Sequence, residues 1–512
     1  MSEISSNNKR IATNTIYLYI RMLIVMVVTF YTARITLRLL GLDDYGVQNA
    51  VGGLVSFMNV IRGTMTSATQ RFLSYALGIK DIKLYSRNFG GLLFICAVLS
   101  LLVILVAESI GPWIINSYLV IPPTRIYAAQ WVYQCAIVTF VCSLMLIPFS
   151  AAIVSHEMMK IYAYMSLYEV FAKLIIVTIL FYSTFDKLIT LSVMHAIVDV
   201  SILLIYVGYC KRHIVGCVIR FYYNKSLIKT LLSYTGWNLF GSLSGTLNVA
   251  GLSLVINLFF GPVVNGAKAI ADRINSTVVS FSNNFYLAVS PQIVKKYAAG
   301  EKMMSLQLVY KSSKYSFFLL YLLSLPLLFL MRQCLDVWLG KDYVTDEMVL
   351  FSQLILVYSL VNVLEQPISM IIRATGNIKW YQICVGCITL MSVPLAYLFS
   401  KLSFPSFYCI LSLIITYFFA HIVRLYISMK QVELSISTYF KTVVLPILTV
   451  LCLSLIINGV INVFFNLDDN LFLNIIHGLV IVLTTGSVIY WIGITSNERR
   501  EIKNMIALHI KK

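Results

Sequence analysis

Long apolar runs recur from one end of the chain to the other, separated by short polar connections. Each run is long enough to cross about 30 Å of hydrocarbon as a helix, which takes roughly 20 residues. The pattern therefore predicts about fourteen transmembrane helices, of which the second and eighth are the most polar. They lie near 13–40, 47–77, 89–108, 126–150, 162–183, 188–210, 231–258, 265–293, 313–332, 347–372, 380–400, 405–428, 442–465 and 471–493.

The composition agrees with this pattern and predicts an all-α polytopic membrane protein. The 512-residue chain is 59% hydrophobic and only 12% charged, whereas about a quarter of the residues of a soluble domain are charged. The formal net charge of +18 comes mostly from short loops, where basic residues fix topology, so we expect no nucleic-acid partner. The ten cysteines are scattered through apolar runs without metal-ligand spacing, so no metal site is predicted.

The loop charges predict the orientation of the chain. Alternate connections and both termini contain most of the Lys and Arg residues, whereas the other connections hold only Arg125, Lys187, Lys341 and Lys401. This bias predicts cytoplasmic termini and an even number of spans. The short connections leave no room for a catalytic domain, and no Walker-type phosphate loop occurs. We therefore expect no enzyme, no catalytic residue and no cofactor.

A glycine-bounded segment, which we predict to be a hinge between two helices, occurs twice in the sequence. Gly41-Leu-Asp-Asp-Tyr-Gly46 joins the first two spans, and Gly261-Pro-Val-Val-Asn-Gly266 joins the seventh and eighth. Because six spans separate the copies, both have the same orientation. The repeat predicts two six-helix lobes, 1–215 and 216–430, related by an axis along the membrane normal. Residues 431–512 would then add two further helices and a basic cytoplasmic tail.

Basic residues within the apolar runs are the first candidates for a binding site. Arg21, Arg62 and Lys268 are predicted to line a cationic cavity, because an unpaired charge in hydrocarbon is costly. Polar residues on the same helices extend this predicted site, although such residues also hold transmembrane helices together without touching any cargo. They are Arg273, Asn59, Asn248 and Asn275.

The acids within the runs are candidates for coupling to a proton or Na⁺. Asp199, Asp272 and Glu365 have this role in the prediction, although one buried acid more often pairs with a nearby base. Lys268 and Asp272 are four residues apart on a helix and could neutralise each other. The remaining arginines are predicted to reach the membrane interface. They are Arg34, Arg38, Arg71, Arg332 and Arg424.

The stretch from Asn14 to Gly78 resembles the start of a known family. The segments NTIYLYIRMLI, LLGLDDYGVQNAVGG and SATQRFLSYALG are similar to those of Wzx-type polysaccharide flippases. These form the polysaccharide branch of the multidrug/oligosaccharidyl-lipid/polysaccharide exporter (MOP) superfamily. The related lipid II flippases place arginines in the first, second and eighth spans, where this chain has Arg21, Arg62 and Arg273 or Lys268.

The resemblance implies two six-helix lobes forming a V, two extra C-terminal helices and alternating access. It implies that the cargo is an undecaprenyl-pyrophosphate-linked oligosaccharide, an O-antigen or capsule repeat unit. This cargo would move from the cytoplasmic to the periplasmic leaflet of the bacterial inner membrane. Membrane lipids, a polysaccharide polymerase and the chain-length machinery would be the partners.

Two other functions stay open at this point. A cation-coupled multidrug antiporter of the same superfamily would tend to have an acidic cavity and twelve spans. A membrane-embedded glycan polymerase or ligase would need a long periplasmic segment, and the short connections argue against one.

Overall fold

The computed structural model describes residues 2–56, 59–117, 122–464 and 471–500. These ranges consist almost entirely of helices and contain no strand, which confirms the all-α prediction. The helices are α1 (Ser2–Ser56), α2 (Asn59–Gly78), α3 (Ile82–Ser117), α4 (Ile126–Ser155), α5 (Met159–Tyr182), α6 (Lys187–His213), α7 (Lys225–Ala298), α8 (Lys302–Phe329), α9 (Met331–Leu339), α10 (Asp346–Asn362), α11 (Glu365–Thr375), α12 (Lys379–Leu390), α13 (Ser392–Lys401), α14 (Phe407–Val432), α15 (Ile436–Tyr439), α16 (Leu445–Phe464) and α17 (Leu471–Val488). Two π-helical turns, Phe440–Val444 and Ile489–Gly493, follow α15 and α17.

In the described ranges, 12 helical segments are long and apolar enough to cross a membrane. One of them, Lys225–Ala298, is 74 residues long and contains both the seventh and the eighth predicted span. The second predicted span, 47–77, is not among the 12, and residues 57–58 within it lie outside the described ranges. The chain is therefore a multi-pass membrane protein, and the count of fourteen spans stays a prediction.

The two glycine-bounded segments have the same backbone conformation. Gly41 interrupts α1 with φ 79° and ψ 173°, and Gly261 interrupts α7 with φ 81° and ψ 178°. This combination of dihedrals is essentially restricted to glycine. Gly46 and Gly266 lie in helical backbone, so each segment bends at its first glycine. Pro262 follows directly and suits the first turn of the helix that resumes there.

The chain divides into two compact units, Ala12–Leu239 and Met1–Ile11 with Phe240–Lys512. We call them the N-terminal unit and the C-terminal unit. In the N-terminal unit, α4 lies at the centre and contacts α2, α3, α5 and α6. Buried alanines, Ala128 and Ala129 in the first turn of α4 and Ala151 and Ala152 near its end, let neighbouring helices approach closely.

The C-terminal unit is organised around α14, which contacts α10, α11, α12 and α13. Helix α8 packs against α10 and α11, and it also contacts α16 and α17. Polar bonds hold these last helices. The Tyr321 hydroxyl lies 2.7 Å from Ser454 Oγ, and Thr484 Oγ1 donates to Asn458 Oδ1 at 2.7 Å. Such bonds favour one fixed arrangement, since a polar group in hydrocarbon needs a partner.

A buried ion pair anchors the segment after α17 to α8. Lys314 Nζ lies 2.7 Å from Glu498 Oε2, and the two side chains are 4% and 9% exposed. The same carboxylate accepts hydrogen bonds from the backbone and hydroxyl of Thr495. Burial alone would raise the pKa of Glu498, but the bonds from Lys314 and Thr495 bring it below its ordinary value.

We predict that Gly261→Ala destabilises the protein through the backbone alone. A Cβ at Gly261 would meet no atom within 4 Å, but its φ is +81°. The strain should cost about 1–3 kcal/mol and lower the unfolding midpoint of the purified protein. Gly266→Ala is the matched control: it also meets no atom within 4 Å and lies in helical backbone, where alanine is favoured. Equal midpoints for the two variants would contradict this account.

We predict that Glu498→Gln lowers the free energy of unfolding by about 3 kcal/mol, because it leaves the Lys314 ammonium buried without its counter-charge. Since the folded pKa of Glu498 lies below the unfolded value, the ion pair stabilises above about pH 4.3. That stability is lost as the pH falls through the folded pKa. Lys302→Ala is the control, because its pair with Glu433 is exposed and spans 3.5 Å. Thermal unfolding from pH 3 to 7 measures the stability of both variants. A difference between wild type and Glu498→Gln that does not change with pH would contradict the stabilising role of this ion pair.

Candidate functional site: polar clusters inside the two units

The N-terminal unit holds a cluster of polar side chains from α1, α4, α5 and α6. Arg21 donates from Nε to Ser166 Oγ at 2.9 Å, and its guanidinium lies 5.1 Å from the centroid of the Tyr162 ring. Both contacts are neutral, and a ring face attracts a cation without cancelling its charge. Within the described part of the chain Arg21 forms no ion pair, so its charge is held in place but not neutralised.

Asp199 of α6 lies in the same cluster. It accepts a hydrogen bond from Thr139 of α4, and the charges of Lys173, Glu169 and Arg62 act on it. Lys173 instead pairs with Glu169 on its own helix, at 2.6 Å, as their i, i+4 spacing predicts. Among the residues that the structure describes, Asp199 therefore has a polar neighbour and nearby charges but no ion-pair partner.

Arg62 and Arg273 are both exposed on their helices. Neither guanidinium forms an ion pair with a described residue. Arg62 belongs to the N-terminal unit and Arg273 to the C-terminal unit. Asn59, which was predicted to lie beside Arg62, has a side chain outside the described residues.

Lys268 lies in a different environment from these arginines. It is 1% exposed, and its ammonium contacts Asp272 Oδ2 at 2.7 Å and Ser253 Oγ at 3.1 Å. The neighbouring Ala267 and Ala271 lie in an apolar core between α7, α10 and α14. In this conformation Lys268 and Asp272 neutralise each other, so neither presents a free charge.

Glu365 also has a basic partner, which the sequence did not predict. The Arg424 guanidinium lies 2.8 Å from its Oε2, and the Arg424 side chain is 2% exposed. The prediction that Arg424 reaches the interface is wrong, because α14 is the central helix of its unit and turns this residue toward α11. The two residues are far apart in sequence, so no helical spacing could have indicated the pair.

Asn248 and Asn275 connect helices. Asn248 Nδ2 donates to the Thr389 carbonyl oxygen between α7 and α12, and Ser359 Oγ donates to Asn275 Oδ1 between α10 and α7. Both side chains thus act as the interhelical bonds that polar residues in membrane proteins commonly form.

A second ion-pair cluster, also absent from the predictions, involves the Gly41–Gly46 segment. Arg125 donates from Nε and Nη2 to the two carboxylate oxygens of Asp44, and from Nη1 to Asp186. Asp186 also caps α6 by accepting from two backbone amides. Burial would raise the pKa of Asp186, but the bonds from Ile189 and Arg125 lower it. The arginine therefore fixes the segment after Gly41 to the starts of α4 and α6.

The candidate residues thus fall into two groups. Asp272 and Glu365 each have a basic partner, and Lys268 is neutralised by the first of them. Arg21, Arg62 and Arg273 have no acidic partner in the described part of the chain. The uncompensated charge on the candidate helices is therefore mainly positive, with Asp199 as the unpaired acid.

Comparison with known proteins supports the fold. A family model described as MatE matches residues 243–398, which is less than half of the chain, and no curated protein matches. An outward-facing multidrug resistance MATE family transporter of the MOP superfamily is 12% identical with a TM-score of 0.71, covering 82% of this chain and 95% of that one.

Two further solved structures are similar. The MATE transporter ClbM in complex with Rb⁺ is 13% identical with a TM-score of 0.70, covering 84% of this chain and 96% of that one. A MOP superfamily transporter from Pyrococcus furiosus, described with a binding pocket of reverse polarity and a suggested different function, is 12% identical with a TM-score of 0.68. It covers 82% of this chain and 95% of that one. At these identities the likeness defines the fold: this chain has the fold of MATE transporters.

Proposed function

We propose that this protein is a transporter of the MOP superfamily, and not an enzyme, whose cargo is an undecaprenyl-pyrophosphate-linked oligosaccharide. It would move an O-antigen or capsule repeat unit from the cytoplasmic to the periplasmic leaflet of the bacterial inner membrane by alternating access. The transporter fold supports the transport class. The resemblance of Asn14–Gly78 to Wzx-type flippases supports this cargo.

The observation that carries the proposal is the sign of the uncompensated charge. Arg21 and Arg273 belong to segments long and apolar enough to span a membrane, Arg62 belongs to the polar helix α2, and none of the three has an acidic partner in the described residues. Keeping such charges in a bilayer protein is costly unless they meet water or an opposite charge. A pyrophosphate is such a charge, and a guanidinium can bind its oxygens with two parallel hydrogen bonds.

The contacts of each candidate residue assign it a role in this proposal. Arg21 is oriented by Ser166 and Tyr162, and it would bind the pyrophosphate together with Arg62 of the same unit. Lys268 is left out of this set, because Asp272 neutralises it. Asn248 and Asn275 hold helices together rather than bind sugar.

The energy for transport could come from two sources. With cytoplasmic termini, an inside-negative potential favours outward movement of the anionic cargo by about 2.3 kcal/mol per charge per 100 mV. Ion coupling would fall to Asp199, because Asp272 and Glu365 already have basic partners. Asp199 is a member of a polar cluster with a hydrogen bond from Thr139, so it can exchange a proton or Na⁺ without breaking an ion pair.

The second candidate function is a cation-coupled multidrug antiporter. The comparisons support it more directly than the flippase, since similar structures include a multidrug resistance transporter and a Rb⁺ complex. Asp199 would then bind the coupling cation. This function predicts export of cationic dyes, and it gives no role to unpaired arginines. The similar archaeal transporter, described with reverse pocket polarity and a suggested different function, is an example of this fold with a different pocket.

We predict that Arg21→Gln with Arg62→Gln abolishes export of surface glycan in a strain that lacks the chromosomal gene. Loss of two cationic groups should weaken binding of a pyrophosphate by about 3 kcal/mol or more, since each charge-assisted hydrogen bond contributes about 1.5–3 kcal/mol. The measurement is surface glycan by gel or antibody, alongside the amount of protein in the membrane.

Arg34→Gln with Arg38→Gln is the matched control, because both residues lie in α1, are exposed and are predicted at the interface. Normal glycan export by the Arg21/Arg62 variant, at normal protein level, would refute the proposed site. The antiporter would be favoured if the gene confers resistance to cationic dyes and its deletion leaves the surface glycan unchanged.

A further inference from the structure

The C-terminal unit contains a charge pair that the proposed transport cycle does not use. Arg424 of α14 is 2% exposed and lies 2.8 Å from Glu365 Oε2 in the first turn of α11. Both residues belong to segments that can span a membrane, Asp346–Thr375 and Phe407–Val432. The Arg424 charge is therefore buried and the Glu365 side chain is 20% exposed, and the two lie at a distance typical of a charge-assisted hydrogen bond.

Tyrosines from three helices surround the pair. Tyr381 of α12 is hydrogen-bonded to Arg424, and Tyr417 of α14 is hydrogen-bonded to Tyr358 of α10. The rings of Tyr358 and Tyr417 meet edge to face, with centroids 4.8 Å apart. Of these neutral groups Tyr381 bonds to Arg424, and none of the three supplies a competing charge.

The other titratable groups that face the pair are few. His421 lies one turn before Arg424 on α14, and its Nε2 is 3.5 Å from the Tyr439 hydroxyl. Arg373 of α11 acts electrostatically on Tyr381, which adds positive rather than negative charge. In the described residues Glu365 is therefore the one carboxylate of this cluster, and Arg424 is the base paired with it.

The identity of the base is important. A buried carboxylate must be neutralised by a proton, a metal cation or a basic side chain. An arginine stays protonated in proteins, whereas a lysine can lose its proton when it is buried. Because Arg424 is covalently tethered, permanently charged and buried, Glu365 is never left without a cation as long as the pair is intact.

We propose that Arg424 is a permanent counter-cation of Glu365, which prevents this carboxylate from binding protons or alkali ions. Glu365 then takes no part in ion coupling, and a coupling ion acts through another acid, of which Asp199 has no ion-pair partner among the described residues. Removing Arg424 would convert Glu365 into a site for a monovalent cation or a proton. This inference concerns the coupling ion and is independent of whether the cargo is a lipid-linked glycan or a drug.

The test is thermal unfolding of the full-length purified protein in NaCl, KCl or choline chloride at equal ionic strength, from pH 5.5 to 8.5. For Arg424→Met in choline at pH 8.5 we expect an unfolding midpoint about 5 °C below wild type, because the carboxylate is left unpaired. Na⁺, K⁺ or acid should restore part of this loss. The double variant Arg424→Met with Glu365→Gln should recover most of the midpoint and respond to cations and acid no more than the wild type does, since neither charge of the pair remains.

The wild-type protein tests the inference without any change at Arg424. If wild type is stabilised by Na⁺ or K⁺, Asp199→Asn should remove that response and Glu365→Gln should leave it intact. A wild-type response that Glu365→Gln abolishes would overturn the inference. So would an Arg424→Met protein that is indifferent to both cations and pH.

Two further variants keep the test informative if Arg424→Met does not fold. Arg424→Lys keeps a cation beside Glu365 and should fold without a Na⁺ or K⁺ requirement at pH 7. Glu365→Gln alone leaves Arg424 unpaired and should lower the midpoint by a similar amount, and alkali cations should shift its midpoint no more than they shift that of the wild type. A larger rise of the Glu365→Gln midpoint in Na⁺ than of the wild-type midpoint would contradict the assignment, because no carboxylate is left at position 365 to bind the ion.

Discussion

Ionised side chains on membrane helices must be neutralised, hydrated or bound, and this constraint explains most of the arrangement of charges in the chain. In the C-terminal unit, Lys268 pairs with Asp272 and Arg424 pairs with Glu365. In the N-terminal unit, Arg21 has only neutral partners, and Asp199 has no ion pair among the described residues. Each unit contains both kinds of charge, since Arg125 is paired with Asp44 and Asp186 in the N-terminal unit, and Arg273 has no ion pair among the described residues of the C-terminal unit.

The repeated backbone bend is the second constraint. Gly41 and Gly261 adopt dihedrals that only glycine tolerates, each at the point where one long helix changes direction. In the N-terminal unit, Arg125 adds ion pairs that fix the chain just after the bend to the starts of two other helices. The proposed transport cycle would need helices that bend at defined places, and Gly41 and Gly261 are the positions where such bends occur.

The sequence predicted the features that depend on residues close together in the chain. Helical spans follow from apolar runs, the bends at Gly41 and Gly261 from a repeated glycine spacing, and the Lys268–Asp272 pair from i, i+4 geometry. Partners distant in sequence were missed. Arg424 was expected at the interface, but its pairing with Glu365 arises only when α11 packs on α14. The polarity of the second span explains why its hydropathy signal is weak.

The central claim is that the unpaired arginines bind an anionic, lipid-linked cargo. The most direct measurement uses the purified protein in liposomes with a fluorescent polyprenyl-pyrophosphate disaccharide, whose transfer between leaflets is followed with a membrane-impermeant reducing quencher. The account predicts that wild-type protein speeds this transfer and that the variant with glutamine at positions 21 and 62 does not. Liposomes in which the labelled lipid stays in its original leaflet, while a cationic dye is exchanged for Na⁺ or protons, would contradict it.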